Sequence, residues 1–324
     1  MHRKSVRRTT LVGLLSLIGL LALSAVFLPA SSASAASPLS MAGGFYVNPD
    51  SAPAAWVSTH STDSRAAAIR ASIASKPIAR WFGDDPGIGT SVASYVGTAY
   101  KHDRVPVLVA YNIPLRDACG KESAGGAGSV AHYRTWISSF AAGVGDRPAV
   151  VIIEPDALSD FSCLSSAQIS DRVAMLKYAA RMFQQKAPNT WAYLDAGHSG
   201  WVDPATMASR LRSAGVGGIR GFSLNVSNFR TTSDSVSYGK KINSALGGSA
   251  HFVIDTSRNG KGSNGEWCNP AGRKLGVSAR TGGGADLLLW IKQPGVSDGK
   301  CGIAPTVRAG TFSPDLAMRL INGT

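Results

Sequence analysis

Short apolar runs and amphipathic stretches alternate along most of the chain. The runs lie at 78–82, 105–111, 150–153, 191–194, 219–224, 252–254 and 287–291, and are too short for helices while being rich in β-branched and aromatic residues. Between them, 64–75, 129–142, 165–185, 204–213 and 235–245 have the spacing and composition of helices with one apolar face. Repeated strand and helix imply right-handed crossovers and a parallel sheet. Runs apolar on both faces require cover on both sides. The pattern predicts an α/β fold, a distorted (β/α) barrel of about seven parallel strands, with a cleft at the C-terminal ends of the strands. Periodicity alone also admits a doubly wound sheet.

The polar residues just past each run give that cleft its chemistry. Asp84 and Asp85 come after the first run, Arg116 and Asp117 after the second, and Glu154 and Asp156 after the third. Asp195 and His198 succeed the fourth, Asn225 and Asn228 the fifth, Asp255 and Arg258 the sixth, Lys292 and Asp298 the seventh. A single acid after a strand is commonly only a helix cap or an Asx-turn. Seven strands that agree are harder to explain that way, because in parallel α/β barrels this rim carries the active site. Carboxylates dominate, no HExxH-type metal spacing is present, and Ala196-Gly197-His198-Ser199-Gly200-Trp201 lacks the second glycine of a GxSxG elbow. The set suits acid/base chemistry by carboxylates.

Tryptophans narrow the substrate. Trp81, Trp201, Trp267 and Trp290 fall at or just past strand ends, whereas Trp136 and Trp191 fall within a helix and at a strand start, as core residues would. A flat aromatic in a polar cleft offers a stacking surface for the apolar face of a sugar ring.

The first 35 residues have the layout of an export signal: Arg3, Lys4, Arg7 and Arg8, an apolar stretch from Leu11 to Leu28, then Ala33-Ser34-Ala35. The apolar stretch is long enough that an uncleaved anchor is the alternative. Four of the 33 basic residues lie in this segment, so the remaining chain carries 29 against 20 acids, a net +9. Those cations are scattered rather than blocked, which argues against a nucleic-acid partner. Residues 36–324, long enough for one α/β barrel, are expected to form a single catalytic domain. Cys119, Cys163, Cys268 and Cys301 lack CxxC spacing, and in an exported chain they favour disulfides over metal. Three connectivities are possible; the sequential one, Cys119–Cys163 with Cys268–Cys301, is the expectation.

The segments VLVAYNIPLRDACGKESAGG, VVIIEPDAL, AYLDAGHSGW, GFSLNVSNF, HFVIDTSRNG, EWCNPAGRKLG and LLLWIKQPGVSDGKC, in that order from about Trp81 to Cys301, resemble glycoside hydrolase family 6, the inverting cellulases. The resemblance implies Asp156 as general acid, Asp117 as the group that supports its raised pKa and handles the water, and Asp298 as candidate base. It also implies Asp195 and Tyr111 beside the cleavage point, Lys292 as a substrate-binding lysine, and Trp81, His198, Trp201, Asn228, Trp267 and Trp290 as subsite residues. The short span between Lys292 and Asp298 implies an open cleft. The expected protein is a secreted, monomeric endo-β-1,4-glucanase acting on cellulose or mixed-linkage β-glucan, with no cofactor or metal. A chain-end-cleaving cellobiohydrolase and a non-catalytic glucan-binding protein are the alternatives.

Overall fold

Alternate residues of the apolar runs enter two different cores. The computed structural model describes residues 1, 2, 5 and 37–324, so the predicted export signal lies, but for three residues, outside the described residues. Within the unit Ala35–Thr324 the strands are β1 (Arg80–Phe82), β2 (Val107–Ala110), β3 (Ala149–Ile153), β4 (Thr190–Asp195), β5 (Gly221–Leu224), β6 (His251–Asp255), β7 (Arg280–Thr281) and β8 (Leu287–Leu289). Val107, Val109, Val150, Ile152, Tyr193, Val253, Leu287 and Leu289 pack together in one buried cluster that contains no helical residue. Their neighbours Leu108, Ala110, Val151, Ile153, Leu194, Phe222, Ile254 and Leu288 join a larger cluster under the helices. Since successive strand side chains point to opposite faces, the first cluster is the barrel interior and the second the layer between sheet and helices.

The sheet runs β1-β2-β3-β4-β5-β6-β8-β7. Every pair from β1 to β6, and β6 with β8, is parallel, so the strands' C-terminal ends share one rim. The sheet curls round so that the residue before β1 meets the residue after β8 along a seam. At that seam the Ala79 N–H donates to the Trp290 carbonyl (2.9 Å). The seven predicted strands are all present: β1, β2, β5 and β8 are two or three residues shorter than the predicted runs, and β3, β4 and β6 one or two longer. The eighth, β7, is antiparallel to β8 and exposed. Two polar residues, Arg280 and Thr281, carry no apolar period that could have announced it.

The helices are α1 (Ala52–Thr59), α2 (Ala66–Ile69), α3 (Ile88–Lys101), α4 (Val130–Val144), α5 (Ser166–Lys186), α6 (Pro204–Ser213), α7 (Thr232–Leu246) and α8 (Pro314–Asn322). Side-chain oxygens of Ser129, Ser165, Asp203, Thr231 and Ser313 cap the starts of α4 to α8, with a full capping box between Ser165 and Gln168. The helix predicted over 64–75 is α2 followed by a π-helical turn, Arg70–Ala74. Sequence reasoning missed α1, α3 and α8. In α3, glycine, serine and threonine lower intrinsic propensity, and the helix forms because Ile88, Val92, Tyr95, Val96 and Ala99 bury one stripe against the core.

A third cluster, Val57, Ile69, Ile73, Ala74, Ile78, Trp290 and Ala317, lies between the seam and α1, α2 and α8. It corrects one expectation: Trp290 is 3% exposed, its indole N–H donates to the Val277 carbonyl (2.9 Å), and it is a core residue, not a sugar platform. The side chain that comes after the inward-pointing Leu289 must leave the barrel on the opposite face, and here that face is covered. Trp290→Ala is expected to cost about 3–5 kcal/mol of unfolding free energy, measured by denaturant titration.

Candidate active site

Three of the βα loops reverse direction through pairs of non-glycine residues in the left-handed region: Leu115 and Asp117, Glu154 and Asp156, Asn225 and Ser227. Such residues are uncommon, and they gather where the surroundings over-determine the backbone. The pair at the end of β3 sends its two carboxylates to opposite fates. Glu154 is fully buried and accepts the N–H groups of Asn112 (3.0 and 2.9 Å, one to each oxygen) and Ile113 (2.9 Å), which ties the end of β3 to that of β2. Burial pushes its carboxyl up to about 7, against the pull of those two N–H groups. Asp156, two residues further on, faces the rim.

Asp156 is a strongly perturbed acid of that rim. Burial is the largest cause that raises its pKa well above the usual carboxylate range, followed by the negative charges of Asp195, Asp117 and Asp160; Lys292 opposes them. Its Oδ1 is shut off from solvent and has no hydrogen-bond partner in the protein. The Asp156 backbone N–H donates to Asp195 Oδ1 (2.9 Å), and Asp195 also accepts from the Gly197 N–H (2.9 Å) and the Ser223 hydroxyl (2.9 Å). Burial pushes Asp195 up to about 6 despite those donors.

On the loop after β2, Asp117 Oδ2 accepts the Ser123 N–H (2.7 Å) and lies 3.1 Å from its hydroxyl, which in turn lies 3.0 Å from the Tyr111 hydroxyl. Arg116 braces this hairpin by donating to the carbonyls of Ser123 (2.9 Å) and Tyr111 (2.7 Å). Buried Arg172 on α5 donates to the Leu115 carbonyl (2.5 Å), and Cys119 is joined to Cys163. Tyr111 meets Trp81 edge-on at 5.1 Å.

Across the seam, Asp298 is enclosed by cations. Its Oδ2 accepts from Arg258 (2.8 Å) and the Asn269 N–H (3.1 Å), and its Oδ1 lies 2.9 Å from the Lys292 ammonium. Burial by itself would raise this carboxyl, but Arg258 and Lys292 outweigh it and hold Asp298 at about 2. Arg258 also donates to the Ser227 carbonyl. Asp255, buried at the end of β6, accepts the backbone N–H groups of Ser227 (3.0 Å), Ser257 (2.9 Å) and Lys292 (2.9 Å), so one carboxylate organises three loops. The second disulfide, Cys268–Cys301, closes this side. Both pairs are the sequential ones expected.

The structure therefore brings Asp156, Asp195, Asp117 and Tyr111 into one electrostatic group, and Lys292 and Asp298 into a second that Lys292 couples to Asp156. Trp81 sits between them, bound to Tyr111 by ring contact and to the Ile291 carbonyl by its indole N–H (2.8 Å). Trp201 and Trp267 are 43% and 49% exposed, high for tryptophan and fit for stacking. His198 tilts against Trp201 at 5.4 Å, and burial, with Arg230 nearby, holds its imidazole down to about 4, so it is neutral at neutral pH. Asn228 is half-buried, its amide donating to the Val226 carbonyl (3.0 Å). Sequence reasoning missed Ser123, Ser223, Asn269 and Arg172 and gave no role to Arg258. Hydroxyl and amide groups inside loops carry no periodic signal, and only their contacts single them out.

The family model of the glycosyl hydrolases family 6 matches residues 41–324, nearly all of the described chain. The chain belongs to glycosyl hydrolase family 6. This family 6 hydrolase is 53% identical over 309 residues to Endoglucanase 1 of Streptomyces halstedii, covering 94% of this chain and 96% of that one. It is 44% identical over 285 residues to Endoglucanase A of Thermobispora bispora, a longer protein of which 61% is covered. Among solved structures, the endoglucanase Cel6 from Mycobacterium tuberculosis, in complex with methyl-cellobiosyl-4-deoxy-4-thio-β-D-cellobioside, superposes with a TM-score of 0.82 at 40% identity, covering 89% of this chain and 99% of that one. The catalytic core of a cellobiohydrolase from Chaetomium thermophilum, 22% identical with a TM-score of 0.78, shares the fold.

Proposed function

We propose that this family 6 hydrolase is a secreted endo-β-1,4-glucanase that cuts internal bonds of cellulose-type chains with inversion at the anomeric carbon. The observation that carries the reading is Asp156: a carboxyl on the rim whose pKa is raised well above the usual carboxylate range by burial and by three neighbouring carboxylates. Such a group can hold its proton near neutral pH and give it to the glycosidic oxygen as the bond to the anomeric carbon breaks. Asp117 stays close enough to disfavour ionisation of Asp156. Through Ser123 it also presents a hydroxyl pair, Ser123 and Tyr111, that can orient a water.

Asp298 is the candidate acceptor of that water's proton. Its pairing with Arg258 and Lys292 makes it ionised but weakly basic. Proton transfer to it must therefore come late, once the water has largely bonded to the oxocarbenium-like carbon and become strongly acidic. Lys292 links the two groups of acids through its charge. Trp81, Trp201 and Trp267, with His198 and Asn228, are proposed as sugar contacts; Trp290 is not. The signal-like start fits export, and residues 36–324 are proposed as one catalytic domain working as a monomer.

Proton NMR of cellopentaose in the first minutes of digestion tests the reading. The expected result is early α-anomer at the new reducing end. Early β-anomer would sink inversion and the roles assigned to Asp156 and Asp298 together, and binding without cleavage would leave a glucan-binding protein.

A further inference from the structure

Besides Asp156 and Asp195 at the ends of β3 and β4, the candidate catalytic groups lie on two loops that leave neighbouring regions of the rim. Tyr111, Asp117 and Ser123 belong to the loop after β2, Lys292 and Asp298 to the loop after β8, and β1 lies between those strands at the seam. At their bases the two loops are joined through Trp81, which touches Tyr111 on one side and the Ile291 carbonyl on the other. Neither disulfide joins them: Cys119–Cys163 ties the first loop to the one after β3, and Cys268–Cys301 ties the second to the one after β6.

At their tips a side chain does. Glu122, immediately before Ser123, turns its carboxylate across the gap at the surface and accepts the backbone N–H of Lys300 (3.0 Å), two residues past Asp298. The fit is close. Gly299 packs directly against the Glu122 side chain, and a Cβ at that position would overlap the carboxylate and its stem.

We propose that Glu122 is a positioning residue that clasps the Asp117–Ser123 loop to the Asp298 loop, and so sets the span between the groups on either side of the attacking water. The proposal rests on the hydrolase reading above. The clasp acts through one accepted hydrogen bond, so it can part when a chain enters and re-form before bond cleavage. Because the span and not the sugar platforms depends on it, its loss should appear in turnover and leave binding alone. A misplacement of about 1 Å in a catalytic group can cost on the order of 10²-fold in rate.

The test compares the full chain with Glu122→Ala and Glu122→Gln, the latter keeping an acceptor oxygen. Glu122→Ala is expected to lower kcat on cellopentaose by about 10–100-fold with KM changed less than about twofold, while Glu122→Gln stays within about threefold of the unmodified protein. Hydrogen exchange of the amides of 118–125 and of Lys300 is expected to quicken in the alanine variant and not in the glutamine one. An alanine variant with unchanged kcat, a glutamine variant as slow as alanine, or unchanged exchange in the alanine variant would each overturn the clasp. If the unmodified protein cleaves no β-1,4-glucan, the hydrolase reading fails, and the exchange experiment still decides the clasp.

Discussion

Asp156→Ala is expected to lower kcat on unactivated β-1,4-glucan by about 10²–10⁴-fold, the range of a positioned general acid. On aryl cellobiosides with good leaving groups, the loss should be much smaller, because a leaving group that departs as a stable anion needs no proton. Steady-state rates on both substrates check this, and equal losses would remove Asp156 from the acid role. The pH dependence carries the same information. Asp156 works in its protonated form, and burial together with Asp195, Asp117 and Asp160 raises its pKa. Activity is therefore present below that raised value and lost as pH climbs through it, so the alkaline limb of kcat/KM belongs to Asp156. Asp195→Asn, which removes the largest neighbouring charge on Asp156, should move that limb towards lower pH.

The second large effect is expected at Asp298. Alanine there leaves the ammonium of Lys292 and the guanidinium of Arg258 without their counter-charge, both nearly out of solvent. Breaking a buried pair from one side typically costs about 3–5 kcal/mol, so Asp298→Ala should lose both activity and stability. Adding Lys292→Met removes one stranded cation and should recover part of the stability in denaturant titrations while leaving activity lost. Recovery of both would show that Asp298 serves the fold alone. The acid side of the stability curve has a definite sign. The folded-state value of about 2 lies below the ordinary carboxylate value near 4, so the contribution of this ion pair is present above about 4 and disappears as pH falls through about 2. The double variant should lack that acid-side loss.

Much of this site was legible in the chain, for a reason visible at β3. Val150 to Ile153 had to be buried on both faces, and the turn that follows them had to lie at the rim, because a parallel sheet covered by helices leaves no other place for it. The same argument held for Asp195 at β4 and for Lys292 and Asp298 beyond β8. It failed at Trp290, which comes just past the end of β8 but turns outward under α1, α2 and α8. Position along a strand sets which face a side chain takes. It does not say what covers that face.

Period-2 and helical periodicity were enough to place the seven parallel strands, their common rim and the carboxylates on it, since polar residues cannot be buried unpaired. Which carboxylates are acids and which are anchors was settled only by packing. Glu154 and Asp156 are two residues apart, yet one is bound by backbone N–H groups and the other faces three negative charges. Asp298 and Asp195 look alike in the chain, but two cations hold the first at about 2 while burial lifts the second to about 6. A carboxyl's proton affinity is set by the charges and donors within a few ångströms of it, and those come from residues as far away in the chain as Asp117 and Lys292.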